Sequence, residues 1–333
     1  RTQQIKIHNC RDTLSLFNGL ESYCGRGVMS STLSSISMVR NMSKASYSTY
    51  GFGNLDAAQA LERVAASGFR YVEFCCDTHA PGDRPSKYAV STREHLEKCG
   101  LTATTVHAPA RRNTLGATDE DWRRKANAVL ADTLRFSGEI GAAGMVVHGI
   151  PNPNFVPQDR EIHSFYSVMV DAMRRSVEEL IPVAEEADVR ILIENLPYNA
   201  DLRTSSWDGD YPLMRMAELR PFVDDFPAKQ VGLVVDVGHA WTNGDDPATE
   251  IRVAGDRLGG THLQDVDGDN PQDNHWPPLH GGLNWISIFE ALDQICYRGM
   301  YTFEVINGVF DESADELAKL TFAVAKKWGL TKE

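Results

Sequence analysis

From Lys44 onward the chain alternates short apolar runs with longer stretches in which apolar positions recur at helical spacing. The short runs are Ala45–Tyr50, Tyr71–Cys75, Thr102–His107, Met145–His148, Ile191–Glu194, Gly232–Asp236, Thr261–Gln264 and Tyr301–Val305. Several are rich in β-branched and aromatic residues, as in Arg-Tyr-Val-Glu-Phe at 70–74 and Val-Gly-Leu-Val-Val-Asp at 231–236. Continuous apolar runs of this length suit strands buried on both faces. Between them, Leu55–Ser67 reads as a helix closed by Gly68, a usual residue just past a helix end. Asp119–Ile140 reads as a long helix closed by Gly141, and Arg160–Ala187 as one that Pro182 should kink or break. Further helices are expected at Tyr211–Phe226, Pro247–Leu258, Trp285–Tyr297 and Ala314–Trp328.

This alternation amounts to eight strand–helix units, which implies a parallel sheet with right-handed crossovers. Eight units is the number that closes a barrel, and the length is typical of that fold. The rival is a doubly wound open sheet. Neither a G-x-G-x-x-G after the first strand nor a P-loop is present, which weighs against it. The expectation is an α/β protein, a single (β/α)8 TIM barrel over residues 44–333.

The first 43 residues differ. From Ser22 to Leu55 there is no Asp or Glu, serines crowd Ser30 to Ser48, and Arg26, Arg40 and Lys44 supply positive charge. Such a leader suits an organelle transit peptide. It also suits a disordered tail, or a start placed upstream of a true one at Met29 or Met42, and that plainer reading is the expectation. Of the six cysteines, Cys10, Cys24, Cys75, Cys76, Cys99 and Cys296, none forms a C-x-x-C pair, so a thiolate zinc site or a disulfide framework is not expected and a reducing, cytoplasmic setting is. A net charge of -13 argues against a phosphate-rich partner such as nucleic acid, and no apolar run is long enough to span a bilayer.

Residues able to bind metal recur at the C-terminal ends of the strands. His107 ends the third, His148 the fourth, Glu194 the fifth and Asp236 the sixth, with His239 three residues on. His262 lies in the seventh and Glu304 ends the eighth, while Asp273 and His275 follow the seventh in a long loop. Any one of these is more often an ion-pair or capping residue. Together they are different, because in a barrel all these ends open on one face, where the active sites of this fold lie. Carboxylates ending apolar strands are costly to bury unpaired, and a shared cation removes that cost. A mixed oxygen and nitrogen set of Glu194, Asp236, His262 and Glu304 suits one divalent ion: Mn²⁺ foremost, with Mg²⁺, Co²⁺ or Zn²⁺ also accommodated. Glu73, near the end of the second strand, is expected either to touch substrate or to form a structural ion pair.

At these residues the chain resembles the xylose isomerase-like barrel superfamily, in its sugar phosphate isomerase/epimerase branch. The resemblance runs from Lys44 to Leu330. It is carried by Ser-Thr-Tyr-Gly-Phe at 48–52, Ala-Ala-Ser-Gly-Phe-Arg-Tyr-Val-Glu-Phe at 65–74, Val-His-Ala-Pro at 106–109 and Leu-Ile-Glu-Asn at 192–195. Asp-Val-Gly-His-Ala at 236–240, His-Leu-Gln-Asp at 262–265 and Asp-Asn-His-Trp-Pro-Pro at 273–278, followed by Asn284-Trp285, complete it.

The resemblance implies Glu194, Asp236, His262 and Glu304 as ligands of one divalent ion. It implies Glu194, Glu304 and His239 as groups that could move protons; His107, His148, His275, Glu73 and His280 are the expected substrate contacts, Glu73 with the ion pair as its alternative and His280 as a departure from the family pattern. In that chemistry the metal stabilises an enediolate made by deprotonating a sugar beside its carbonyl. Elimination from the same enediolate would give a dehydratase. Two departures stand out: no Arg follows His262 as in ketose 3-epimerases, and Pro278-Leu-His-Gly-Gly282 replaces a Pro-Gly-Glu-Gly loop.

Endonuclease IV, on the same barrel, binds three zinc ions with nine ligands. Its set would map to His107, His148, Glu194, Asp236, His239, His262, Asp273, His275 and Glu304. The acidic charge favours the sugar branch, because phosphate backbones are gripped mainly by Lys and Arg. A third reading is the catalytic chain of a carbon-glycoside deglycosidase, which works with a small partner subunit. A homo-oligomer is also compatible with the sequence.

Overall fold

The computed structural model describes residues 44–110, 112–151, 162–197, 213–270 and 272–331. The expectations for residues 1–43, including Cys10 and Cys24, lie outside the described residues. Eight parallel strands close a barrel in sequence order. They are β1 (Ala45–Ser48), β2 (Tyr71–Cys75), β3 (Thr102–His107), β4 (Gly144–His148), β5 (Arg190–Glu194), β6 (Val231–Asp236), β7 (Leu258–Leu263) and β8 (Tyr301–Phe303). Closure comes from β8 pairing with β1, with Ala45 opposite Tyr301 and Tyr47 opposite Phe303.

The expected apolar runs became strands because each is buried on both sides, and the two sides separate residue by residue. Met145, Val147, Ile191, Ile193, Leu233 and Val235 point outward into the large core beneath the helices. Val146, Leu192 and Val234, their alternate neighbours, form a separate small cluster inside the barrel. Continued two residues further, the inward set becomes His148, Glu194 and Asp236, so the pleat alone carries these polar groups to the barrel mouth.

The helices are α1 (Ala57–Ser67), α2 (Cys76–His79), α3 (Ala89–Cys99), α4 (Glu120–Glu139), α5 (Ile162–Ala187), α6 (Met216–Asp224), α7 (Val237–Thr242), α8 (Pro247–Ala254), α9 (Trp285–Gln294) and α10 (Ala314–Lys327). Asp56 and Gln59 form a capping box at the start of α1, as Ser313 and Glu316 do for α10. None of the described helices is long and apolar enough to cross a membrane. Cys75, Cys76, Cys99 and Cys296 are free thiols.

The structure departs from the expected pattern in a few places. Helix α5 runs unbroken through Pro182 to Ala187, and buried Leu180 and Ala184 on either side show packing outweighing the lost hydrogen bond. Helix α8 stops at Ala254, where Gly255 takes a φ of +54°, and β7 begins at Leu258, which the apolar pattern had assigned to the helix. Helix α3 was not expected, because it buries only Ala89, Thr92 and Leu96 and so shows a thin apolar stripe.

Candidate metal centre and active site

Three groups of side chains meet at the C-terminal mouth of the barrel. Glu194, Asp236, His262 and Glu304 each offer one donor atom, and these atoms lie within 4.8 Å of one another. His107, His148 and Glu194 form a second such group, and His239, Asp273 and His275 a third, with Glu194 shared by the first two. In the first group His262 Nδ1 lies 2.7 Å from Glu194 Oε1, 3.2 Å from Glu304 Oε2 and 4.0 Å from Asp236 Oδ2.

Local structure explains how each group is held. Asp236 caps α7 by accepting from the His239 backbone N–H at 2.8 Å, and the first turn of that helix then swings His239 over the site. Gly238 in the same turn packs against Gln264, whose Cδ would lie 2.5 Å from any Cβ placed there. Gln264 is fully buried and joins two of the groups. Its Nε2 donates to both Asp236 oxygens (3.2 and 3.1 Å) and to Asp273 Oδ1 (3.0 Å), and its Oε1 accepts from the His275 backbone N–H (2.7 Å). His275 is held at a φ of +52°, an uncommon conformation for a residue with a side chain.

Asp265, beside Gln264 and also fully buried, accepts from Val266, Leu279 and Leu283 backbone N–H groups and from Trp285 Nε1. It thereby folds the whole β7 loop back onto the barrel. The His-Leu-Gln-Asp motif thus supplies one residue to the metal-capable group, one clamp and one loop organiser. Gly281 and Gly282 let this loop close, since a Cβ on either would collide with the backbone of Val266 or Gly268. Packing thus accounts for the two glycines of the His280-Gly281-Gly282 stretch, and nothing in the structure explains His280 in place of the expected acidic residue.

Most of the histidines are oriented by their second nitrogen. His107 Nδ1 donates to the Ala108 carbonyl (2.9 Å), His239 Nδ1 to the Asn195 carbonyl (2.8 Å) and His275 Nδ1 to the Glu304 carbonyl (3.0 Å). Their Nε2 atoms then face carboxylates: Glu194 for His107, and Asp273 for both His239 and His275. This is the arrangement by which proteins fix the tautomer of a ligating imidazole. Asn195 adds rigidity by pairing with the Asp236 backbone through both its carbonyl oxygen and its amide.

The charges are mutually dependent. Burial opposes ionisation of Glu194, but His262, His107 and His148 together hold it well below the usual carboxylate range. Burial likewise opposes ionisation of Glu304, and His262 and His275 bring it down to about 2. Asp236 moves upward, because burial and the neighbouring Glu194 outweigh the histidines. Against desolvation, Glu194 raises His107 to about 9, and Asp273 raises His275 to about 9. His148 is instead lowered by burial.

A divalent cation fits this donor set. Glu194 Oε2 is buried with no hydrogen-bond partner among the described residues, its nearest neighbours being His107 Nε2 at 3.4 Å and His148 Nε2 at 3.6 Å. A buried carboxylate oxygen left this way is costly unless something completes it.

Above the groups lies a cavity of about 390 Å³. Its wall includes His107, His148, Glu194, His239, His275 and Glu304 from the expected site, with Asp273. It also includes Tyr50, Cys75, Asp77, Thr78 and Pro197, which sequence reading did not single out. Tyr50 carried a signal only as part of Ser-Thr-Tyr-Gly-Phe, and its ring meets that of His275 edge-on, with centroids 6.4 Å apart. Glu73 and His280 are not on this wall. Glu73 lies beneath it against His262, and His280 Nδ1 faces the Pro278 carbonyl at 3.3 Å.

Comparison with known proteins follows the same lines. The profile of the family described as xylose isomerase-like TIM barrel matches residues 61–327. The D-psicose 3-epimerase of Enterocloster bolteae is 26% identical over 249 residues, covering 75% of this chain and 76% of its own. A probable endonuclease 4 of Thermoplasma acidophilum is 25% identical over 230 residues, covering 64% of this chain and 73% of its own. The crystal structure of a D-tagatose 3-epimerase-like protein matches in fold, with a TM-score of 0.67 at 22% identity over 86% of this chain and 96% of that one. With a family profile spanning most of its length on a closed eight-stranded barrel, this chain belongs to the xylose isomerase-like TIM barrel family.

Proposed function

We propose that this protein is a divalent-metal-dependent isomerase or epimerase acting on a sugar or sugar-like polyhydroxy ketone. One observation carries the reading: Glu194 and Glu304 belong to one metal-capable group with Asp236 and His262, and both also line the cavity. The ion would be held by those four residues, with Mn²⁺ the best fit and Mg²⁺, Co²⁺ or Zn²⁺ compatible. When bound, it would supply Lewis acidity to a substrate carbonyl and its neighbouring hydroxyl.

The chain's own groups account for the rest. Glu194 and Glu304 are both ionised at neutral pH and so can accept a proton. They stand at the C-terminal ends of β5 and β8, three strands apart around the barrel, from where they can address a bound sugar from different sides. One can take the proton from the carbon beside the carbonyl, and the other, once it has picked up a proton from solvent, can deliver that proton to the opposite face while the first releases its own to solvent, with His239 serving an oxygen. His107, His148 and His275 line the wall as hydrogen-bonding partners for hydroxyl groups. Burial, with Glu304 and its acidic neighbours, pushes Tyr50 up to about 12, so its phenol stays protonated and can donate. A cavity of about 390 Å³ lies within the range of small-molecule sites and suits a single monosaccharide. Relatives named as D-psicose 3-epimerases support the same substrate class.

A second reading has its own support. The groups at His107–His148–Glu194 and His239–Asp273–His275 could hold further ions, the arrangement a trinuclear-zinc AP endonuclease would need, and a relative is named a probable endonuclease 4. Elemental analysis of purified protein, run with an abasic-site duplex assay, separates the two. The sugar reading predicts about one divalent ion per chain and no nicking, whereas about three zinc ions with nicking would reverse the ranking.

A further inference from the structure

Glu73 has no exposed surface, and it stands one pleat below Cys75, which lines the cavity. Its Oε2 accepts from Thr105 Oγ1 at 2.7 Å and lies 3.1 Å from His262 Nε2. Its Oε1 is also 3.1 Å from that nitrogen but makes no hydrogen bond. Among the described residues His262 is the one ion-pair partner Glu73 has. A carboxylate buried this deeply is costly unless it is paired, and here the pairing falls on the ring whose other nitrogen faces Glu194, Asp236 and Glu304.

The orientation of His262 differs from that of its neighbours. Backbone carbonyls orient His107, His239 and His275, and a carboxylate orients His262. With Nε2 engaged by the Glu73 carboxylate, Nδ1 is the ring nitrogen left to face a cation among Glu194, Asp236 and Glu304. A carboxylate partner on one imidazole nitrogen fixes the ring and strengthens the other nitrogen as a ligand.

We propose that Glu73 is a positioning residue for the metal centre, acting through His262 and not on substrate. This rests on the metal-dependent reading above. Glu73→Gln keeps the shape but removes the carboxylate, and its amide can present an N–H to Nε2, which would leave the ring proton on Nδ1, the nitrogen a cation needs. The full-length chain, stripped with chelator, should then bind Mn²⁺ in calorimetric titration about 10- to 100-fold more weakly than wild type. In NMR of the Zn²⁺-loaded protein, the wild type should show a downfield imidazole N–H proton from His262, and Glu73→Gln should lose it.

Thr105→Val removes only the hydroxyl that holds Glu73, and it should weaken Mn²⁺ binding in the same direction by a smaller factor. It decides the matter if Glu73→Gln fails to fold. Wild-type Mn²⁺ affinity and an unchanged N–H signal in the folded variants would overturn the role of Glu73 while leaving the metal reading intact. A wild-type chain that takes up no divalent ion would overturn both.

Discussion

Glu304 follows the last residue of β8, so its backbone carbonyl orients His275 while its carboxylate meets His262. Glu194 offers a donor atom to two of the metal-capable groups. Replacing either with Gln keeps the shape and removes the proposed base. We expect Glu304→Gln and Glu194→Gln each to lower kcat by about 10² to 10⁴, measured by steady-state kinetics on the best ketose substrate. Turnover at the wild-type rate would remove that residue from the mechanism. The same cluster sets a pH dependence for the chelator-treated chain. His107 and His275 stand near 9 in the fold against 6.5 in an unfolded chain, so their stabilisation is complete below pH 6.5 and fades as pH rises to 9. Glu304, lowered to about 2, adds stability above pH 4.5 that is lost as pH falls towards 2. The melting temperature should therefore drop between pH 6.5 and 9. Divalent-ion binding should tighten over the same interval, because the neighbouring imidazolium charges oppose a cation until they lose their protons. A melting temperature that climbs through that window would contradict the assignment.

At the scale of the elements, the site rests on a thin apolar floor. Leu192, on the inside of β5, fills the space left by Gly144 and Gly259, where a Cβ would come within 2.7 and 2.4 Å of its methyl groups. With Val146 and Val234 it forms the small cluster inside the barrel, apart from the larger core. Leu192→Ala should cost about 2 to 5 kcal/mol in urea denaturation, since the surrounding sheet is too constrained to collapse into the space. A loss within the scatter of a surface substitution would show that this layer does not support the strands. Much of this architecture was legible beforehand, because strand pairing leaves a strong mark: β2 and β3 have the bounds read from their apolar runs. Helix α3 was not legible, because a helix that buries three side chains on a polar background has almost no periodic signal. The α8–β7 boundary was misjudged for a different reason. Leu258 suits either period, and Gly255 at positive φ decides between them only once the chain is folded.

Across the whole molecule, the strand-end logic brought the expected metal-capable residues to one mouth, because a parallel barrel has only one face for its C-terminal ends. The expectations that depended on reach fared differently. Glu73 lies one pleat too deep to meet the cavity, and His280 belongs to a loop folded back by Asp265, a course that spacing alone does not reveal. The acidic balance of the chain, -13 overall, agrees with a cavity whose described lining residues include Asp77, Glu194, Asp273 and Glu304 and neither Lys nor Arg. The most direct test of the account is solvent exchange: incubate the Mn²⁺-loaded protein in D₂O with a panel of ketoses, inososes and 3-oxo-glycosides, and follow the label by NMR. A metal-dependent isomerase or epimerase should place deuterium on one carbon beside the carbonyl of at least one sugar, and chelator and Glu304→Gln should each abolish it. No incorporation into any member of the panel, with cleavage of an abasic-site duplex by the same preparation, would contradict that function.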